Sequence, residues 1–165
     1  MNYTSHYNSP LGGITLASNG DALVGLWFDR QKHFGSTLAS PHEEQNDLPV
    51  FYAAHRWLDI YFSGRMPDFT PPLSLQGTLF QQRVWAALLT IPYGQTMSYG
   101  ELARRLGIRS AQAVGGAVGR NPVSLIVPCH RVVGSNGNLT GYAAGLDRKR
   151  ALLGIEAGTH GIKNL

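Results

Sequence analysis

Ser98-Tyr99-Gly100-Glu101-Leu102-Ala103-Arg104-Arg105-Leu106-Gly107-Ile108-Arg109-Ser110-Ala111-Gln112-Ala113-Val114-Gly115-Gly116-Ala117-Val118-Gly119 decides the fold of this 165-residue chain. Ser98 and Glu101 have capping-box spacing, which starts a short helix, and Gly107 directly after Leu106 is the glycine that ends one. Ser110 can cap a further helix over residues 111–119. Two short helices joined by a turn of about four residues that contains glycine form the helix-turn-helix pattern. The second helix is almost bare of side chains, with Ala111, Ala113, Gly115, Gly116, Ala117 and Gly119. Each interior glycine costs ~1 kcal/mol relative to alanine. That cost fits either tight packing against a neighbouring helix or close approach of a bulky partner to the backbone.

Upstream, Thr78 and Gln81 repeat the capping-box spacing ahead of Val84, Trp85, Leu88 and Leu89. The spacing predicts a helix over residues 79–90, ended by Ile91-Pro92-Tyr93-Gly94. Before it, Gly64, Pro67, Pro71 and Pro72 break the periodic pattern. Phe51, Ala54, Leu58, Tyr61 and Phe62 recur at helical spacing and predict an amphipathic helix over residues 49–62. Residues 31–47 read as a polar loop. The first thirty residues read as a β-meander, with turn signals at Asn8-Ser9-Pro10-Leu11-Gly12 and Asn19-Gly20-Asp21 bounding strands over 13–18 and 22–28. The expected class is α+β: a small N-terminal α/β domain with a Pro-rich linker over residues 1–76, then a mostly helical domain over 77–165.

Composition narrows the function. Residues 1–76 carry four Lys/Arg against seven Asp/Glu, a balance of −3, and residues 77–165 carry ten against three, a balance of +7. Basic charge therefore gathers in the helix-turn-helix half, either as a surface for a polyanion or as an ordinary solvated face. No basic stretch followed by an apolar run opens the chain, and no stretch approaches the ~18 apolar residues of a membrane span, so a cytoplasmic protein without a membrane partner is expected. The single cysteine excludes an intramolecular disulfide and a multi-cysteine zinc site. His6, His33, His42 and His55 are scattered without ligand spacing. Neither metal nor cofactor is expected.

That cysteine, Cys129, lies in Ile126-Val127-Pro128-Cys129-His130-Arg131-Val132. A thiol reacts as thiolate, and forming one needs a cation, a base or helix N-terminal dipoles nearby. Side chains of neighbouring residues point to opposite faces of an extended segment, so a turn or a bridging water is needed for His130 to reach Cys129. A third group usually orients the imidazole, and Glu156 is the candidate. The other acids of this half, Glu101 and Asp147, are accounted for as a helix cap and a first-turn charge. An inert buried thiol is the alternative.

Pro128-Cys129-His130-Arg131-Val132 resembles the active-site signature of the O6-alkylguanine-DNA alkyltransferases, the methylated-DNA–protein-cysteine methyltransferases. Tyr93-Gly94-Gln95-Thr96-Met97-Ser98-Tyr99, Ala113-Val114-Gly115-Gly116-Ala117, Asn121-Pro122 and Gly141-Tyr142-Ala143-Ala144-Gly145-Leu146 resemble family motifs in the expected order. The resemblance implies a ribonuclease H-like N-terminal domain, a winged helix-turn-helix, and direct reversal of DNA damage. The alkyl group of O6-alkylguanine, and less well of O4-alkylthymine, passes irreversibly to the cysteine of a protein used once. It implies Cys129 as alkyl acceptor, His130 as base through a water, Glu156 as the group fixing its tautomer, Tyr99 as proton donor to the departing guanine, and Asn121 as hinge. Val132, Tyr142, Ala143 and Ala144 would line the pocket, with Ala144 leaving room for bulky O6 substituents.

The implied partner is double-stranded DNA with alkylated bases, entered from the minor groove by a monomer, with cooperative assembly left open. Gln112, Ala113 and Gly115 would face the DNA from the second helix, and Arg109, Arg120 and Arg131 would add basic contacts, with Arg104 and Arg105 beside them. Many family members have arginine where this chain has Gln112; an amide can fill the space left by an extruded base but brings no charge. Three other readings compete: a lesion-binding alkyltransferase-like protein, which Cys129 opposes; a helix-turn-helix regulator, which leaves Cys129, His130 and Glu156 idle; and a Cys-His hydrolase, which has no need of the helix-turn-helix.

Overall fold

The computed structural model describes residues 1–39 and 41–158, so the end of the expected second domain, residues 159–165, lies outside the described residues. The chain is a mixed-sheet N-terminal part followed by a helical C-terminal part. It forms two compact units, the first containing Met1–Gln76 together with Pro122–Ile126, the second Gly77–Asn121 and the chain from Val127 onward.

In the first unit β1 (Asn2–Ser9), β2 (Gly12–Ser18) and β3 (Leu23–Phe28) form an antiparallel meander, and β4 (His42–Glu44) adds in parallel to β1, giving the order β3-β2-β1-β4. Every residue of β3 is buried because both of its faces are covered. On one side Ala17, Val24 and Trp27 pack with Leu38. Helix α1 (Pro49–Phe62) packs on β1 and β2, burying Phe51, Ala54, Leu58 and Tyr61 as its periodicity predicts, while Phe62, the fifth residue of that pattern, is only half-buried. Gly25 is required within β3: a Cβ there would lie 2.0 Å from the Trp27 indole. The outer edge of β3 is occupied by two short extended pieces, through the bridges Leu23↔Leu73 and Leu26↔Val123. The Pro-rich segment is thus partly built onto the sheet.

β4 corrects the reading of residues 31–47 as loop. His42, Glu43 and Glu44 are all exposed, and nothing in their residue types favours a strand. Pairing with β1 creates it, and charged side chains suit an edge that must not recruit another chain.

The second unit is built from α2 (Leu79–Leu88), α3 (Tyr99–Leu106), α4 (Ala111–Gly119) and α5 (Leu146–Glu156), with a two-stranded parallel pair, β5 (Met97–Ser98) and β6 (Val132–Val133). Thr78 and Gln81 make the full reciprocal box at the start of α2, at 3.1 and 3.0 Å. The helix ends at Leu88, two residues short of the sequence expectation, where Thr90 N–H turns back to the Ala87 carbonyl. Ser98 caps α3 by accepting from Glu101 N–H, but the Glu101 carboxylate turns to Arg104 and Arg105 instead of completing the box. Gly107, at φ 70°, closes α3 in the left-handed conformation, and Ser110 caps α4. Two bonds from α2 fix this pair: Trp85 Nε1 donates to the Ala117 carbonyl at 2.8 Å and Arg83 to that of Leu106 at 2.9 Å.

Replacing Thr78 with alanine removes one half of the α2 box and is expected to cost about 1 kcal/mol. The expected result in urea unfolding followed by tryptophan fluorescence is a lower midpoint with an unchanged slope. An unmoved midpoint would show that α2 is held by Trp85 and Arg83 alone.

Candidate active site

The path of the chain into the site is set by two consecutive turns. Asn121 Nδ2 donates to the Val127 carbonyl at 2.8 Å. Pro128, at φ −82° and ψ 64°, has the torsions of an inverse γ-turn, closed by Cys129 N–H donating to the Val127 carbonyl at 2.8 Å. Cys129–Arg131 then makes one turn of 3-10 helix before β6. The segment is therefore turned, and Cys129 and His130 are not forced onto opposite faces.

Cys129 is 5% exposed. Burial pushes its thiol up, while a hydrogen bond from Asn121 and the charge of Lys149 pull the other way. His130 is fully buried, and its Nε2 lies 2.5 Å from Glu156 Oε2. Glu156 also accepts from Arg131 Nε at 2.8 Å, Arg131 Nη2 at 3.2 Å and Gly94 N–H at 3.1 Å. Burial raises the Glu156 carboxyl, but His130 and Arg131 outweigh it and hold the group at about 2. Glu156 is therefore a carboxylate at neutral pH, with Arg131 as its permanent counter-charge.

Burial lowers His130, and Arg131 and Lys149 add to that against the pull of Glu156. Burial thus favours the neutral imidazole, and because the Glu156 carboxylate can only accept, the Nε2 that faces it carries the proton. Its Nδ1 is buried and has no hydrogen-bond partner among the described residues. A neutral imidazole fixed by a carboxylate on one nitrogen leaves a lone pair on the other, which can accept a proton.

Tyr99, at the first position of α3, donates to the Thr140 carbonyl at 3.5 Å. Its hydroxyl is raised by burial and by the neighbouring Cys129. The ring of Tyr142 stands edge-on to His130 at 6.4 Å, and its buried hydroxyl has no partner among the described residues. Ala143 is half-buried and Ala144 buried. Val132, expected in the pocket wall, is fully buried, and its carbonyl serves another purpose: it accepts from Lys149 Nζ at 2.6 Å.

Lys149 is the residue that sequence reasoning missed. It is fully buried, donates also to the Thr140 and Gly141 carbonyls at 2.9 and 3.1 Å, and lies 6.0 Å from the centre of the Tyr99 ring. A lysine between Arg148 and Arg150 reads as part of a basic surface. The signal lies in spacing: Lys149, Leu152 and Glu156 share one face of α5, and all three are buried.

Arg131 requires a correction. Expected among the DNA contacts, it is buried, with its guanidinium divided between Glu156 and the Ile91 carbonyl at 2.7 Å. The planar fork of arginine matches a carboxylate in two-point geometry, which makes it the suited partner for a buried Glu156. Arg109 and Arg120 are exposed, as are Arg104 and Arg105, although the last two are paired with Glu101. On α4 the exposed positions are Ala111, Gln112, Ala113, Gly116 and Gly119, so Gln112 is the one long side chain on that face.

Among the described residues no group of His, Cys, Asp and Glu could hold a metal ion, and no helix is long and apolar enough to cross a membrane. Known proteins share both the sequence and the fold. The family model for the 6-O-methylguanine DNA methyltransferase ribonuclease-like domain matches residues 2–75, and that for the DNA binding domain of the same methyltransferase matches residues 79–158. The methylated-DNA–protein-cysteine methyltransferase of Mycobacterium tuberculosis is 49% identical over 156 residues, covering 92% of each chain. That of Haemophilus influenzae is 40% identical over 157 residues, covering 93% of this chain and 86% of its own. The crystal structure of Mycobacterium tuberculosis OGT in complex with DNA superposes with a TM-score of 0.84 at 46% identity, covering 95% of this chain and 92% of that one. With both units matched and the likeness extending along nearly the whole sequence, the chain belongs to the 6-O-methylguanine DNA methyltransferase family, the methylated-DNA–protein-cysteine methyltransferases.

Proposed function

We propose that this protein repairs O6-alkylguanine in duplex DNA by moving the alkyl group to Cys129, once per molecule. The observation that carries this reading is the neutral His130, held by Glu156 on one nitrogen and free on the other, directly following a buried cysteine in a 3-10 turn. His130 Nδ1 takes the thiol proton through a bridging water. The sulfur lone pair forms the S–C bond as the C–O6 bond breaks, and guanine departs with that electron pair. Tyr99 supplies a proton to the departing base, and the hydroxyl is made good from the protonated His130 or from solvent. The product is a thioether. Water does not readily cleave it, so the thiol is not regenerated.

The near-bare face of α4 suits close approach to the minor groove. Gln112 fills the gap left by a base turned out by about 180°. Arg109 and Arg120 supply phosphate contacts, which position without reading sequence. Residues 142–145 close over the extruded nucleotide, and Ala144 leaves space there for a larger substituent. O4-alkylthymine is the poorer substrate. The protein acts as a monomer in the cytoplasm and needs neither metal nor cofactor.

Three outcomes test this reading. Intact mass after incubation with an O6-methylguanine duplex is expected to rise by one methyl group, stoichiometrically, in wild type and not in Cys129→Ser. Lesion binding without a mass change would mark an alkyltransferase-like protein, and indifference to the lesion a regulator. Free O6-benzylguanine is expected to inactivate the protein, and a protein left fully active by it would contradict the open wall at Ala144.

The third concerns pH. In acid, protonation removes the His130 base; in alkali, the raised thiol ionises directly. The transfer rate is therefore expected to fall in acid, below the ordinary histidine range, to level through neutrality and to rise again in alkali, and a rate that holds unchanged into acid would exclude the relay. Stability follows the opposite partner. Glu156 lies below the ordinary glutamate value of about 4.3, so its contribution is complete above that pH. It is lost as pH falls toward about 2. Glu156→Gln leaves Arg131 buried without its counter-charge, a loss of about 3–5 kcal/mol at neutral pH, and its unfolding curve should lack this acid limb.

A further inference from the structure

The residues just before the active cysteine do not belong to the unit that contains it. Pro122–Ile126 is part of the first unit, while Asn121 and Val127 on either side belong to the second. The flanks are closed on each other by the Asn121 Nδ2 bond to the Val127 carbonyl. The segment between them is held by the edge of β3: Leu26 N–H donates to the Pro122 carbonyl at 2.9 Å, and Ser124 N–H to the Leu26 carbonyl at 3.0 Å. One side-chain bond adds to these, from Ser124 Oγ to Gln31 Oε1 at 3.2 Å.

Gln31 is well placed to hold it. It is 6% exposed, and its Oε1 also accepts from Phe28 N–H at 2.8 Å. The loop that presents it turns through two left-handed residues, Arg30 at φ 65° and His33 at φ 58°. Between the held Ser124 and the second unit stands Leu125, fully buried at φ 74°, with Ile126 N–H donating to the Ser124 carbonyl at 2.8 Å. This is a γ-turn with positive φ at its centre, the rare and strained form, and here its central residue is a leucine. Such a conformation persists only where its surroundings over-determine it.

We propose that Ser124 and Gln31 are positioning residues for alkyl transfer: their hydrogen bond holds the strained turn at Leu125, and that turn fixes the course of the chain from Asn121 to Cys129. The proposal rests on the alkyl-transfer reading above. It assigns the N-terminal unit a part in setting the rate as well as in supporting the fold. Asn121 is the link, because the same side chain bonds the Val127 carbonyl and the Cys129 thiol. If the turn relaxes, both bonds lengthen and the thiolate loses a donor.

Ser124→Ala removes the donor and leaves Gln31 its bond from Phe28. Two reactions of Cys129 read the effect. The first is carboxamidomethylation by iodoacetamide, in which sulfur displaces iodide, followed by intact mass across pH. The second is single-turnover methyl transfer from an O6-methylguanine duplex. Both are expected to slow by about tenfold at neutral pH, the scale of one misplaced reacting group. The half-maximal pH should move upward, with lesion affinity unchanged in a Cys129→Ser background.

Ser124→Thr, which keeps the hydroxyl, should recover the pH profile. Gln31→Met should reproduce the defect, and adding Ser124→Ala to it should bring no further loss. A lower melting temperature with unchanged rates and pH profile in the folded fraction would overturn the proposal. A wild type that reacts with iodoacetamide yet takes no methyl from DNA would sink the alkyl-transfer reading, while the iodoacetamide comparison would still decide the positioning role.

Discussion

The Glu156 carboxylate is buried at the end of α5, and the second unit is organised around the need to satisfy it. Taking a carboxylate and a guanidinium out of water costs several kcal/mol per ion, and their attraction offsets that only when the remaining lone pairs are also bonded. Here Glu156 accepts from His130, twice from Arg131 and from Gly94 N–H. Its partners come from two places in the sequence, the turn after α2 and the 3-10 turn at Cys129, and Glu156 itself from a third, α5. Burial favours the neutral imidazole, and the carboxylate decides which nitrogen holds the proton.

Lys149 provides the second fixed charge. It lies two turns before Glu156 on the same helix, and its three carbonyl acceptors come from β6 and the stretch at Thr140 and Gly141. A buried ammonium with three acceptors ties that stretch to the strand that follows the cysteine. It also places positive charge where a thiolate must form, against a burial effect that disfavours one. α5 thus carries both the anion bonded to His130 and a cation that pulls the Cys129 thiol down. Replacing either one leaves its own partners with the cost of an unpaired buried group.

Much of this was legible in the sequence wherever the signal is local. The Thr78 box, the Ser98 and Ser110 caps, the Gly107 stop and the α1 periodicity each depend on residues within a turn or two, and each stands in the fold. Cys129 and His130 are adjacent in the sequence, Glu156 stands out among few acids, and the structure brings Glu156 onto His130. Features that depend on pairing across the chain were not legible. β4 forms because β1 has a free edge, not because His-Glu-Glu favours a strand. Arg131 resembles a surface cation until Glu156 is seen beside it, and Lys149 does so until its three carbonyl acceptors are seen. The placement of Pro122–Ile126 in the first unit depends on the edge of β3, nearly a hundred positions earlier in the sequence, and no local pattern announces it.

The proposed transfer depends on Glu156 holding His130 as a neutral imidazole protonated on Nε2, with Nδ1 left to accept the thiol proton. Nitrogen-15 NMR of the histidine ring in the unreacted protein measures this directly. At neutral pH the account predicts a protonated Nε2 and an unprotonated Nδ1 for His130. A proton on Nδ1, whether as the other tautomer or as imidazolium, would contradict it.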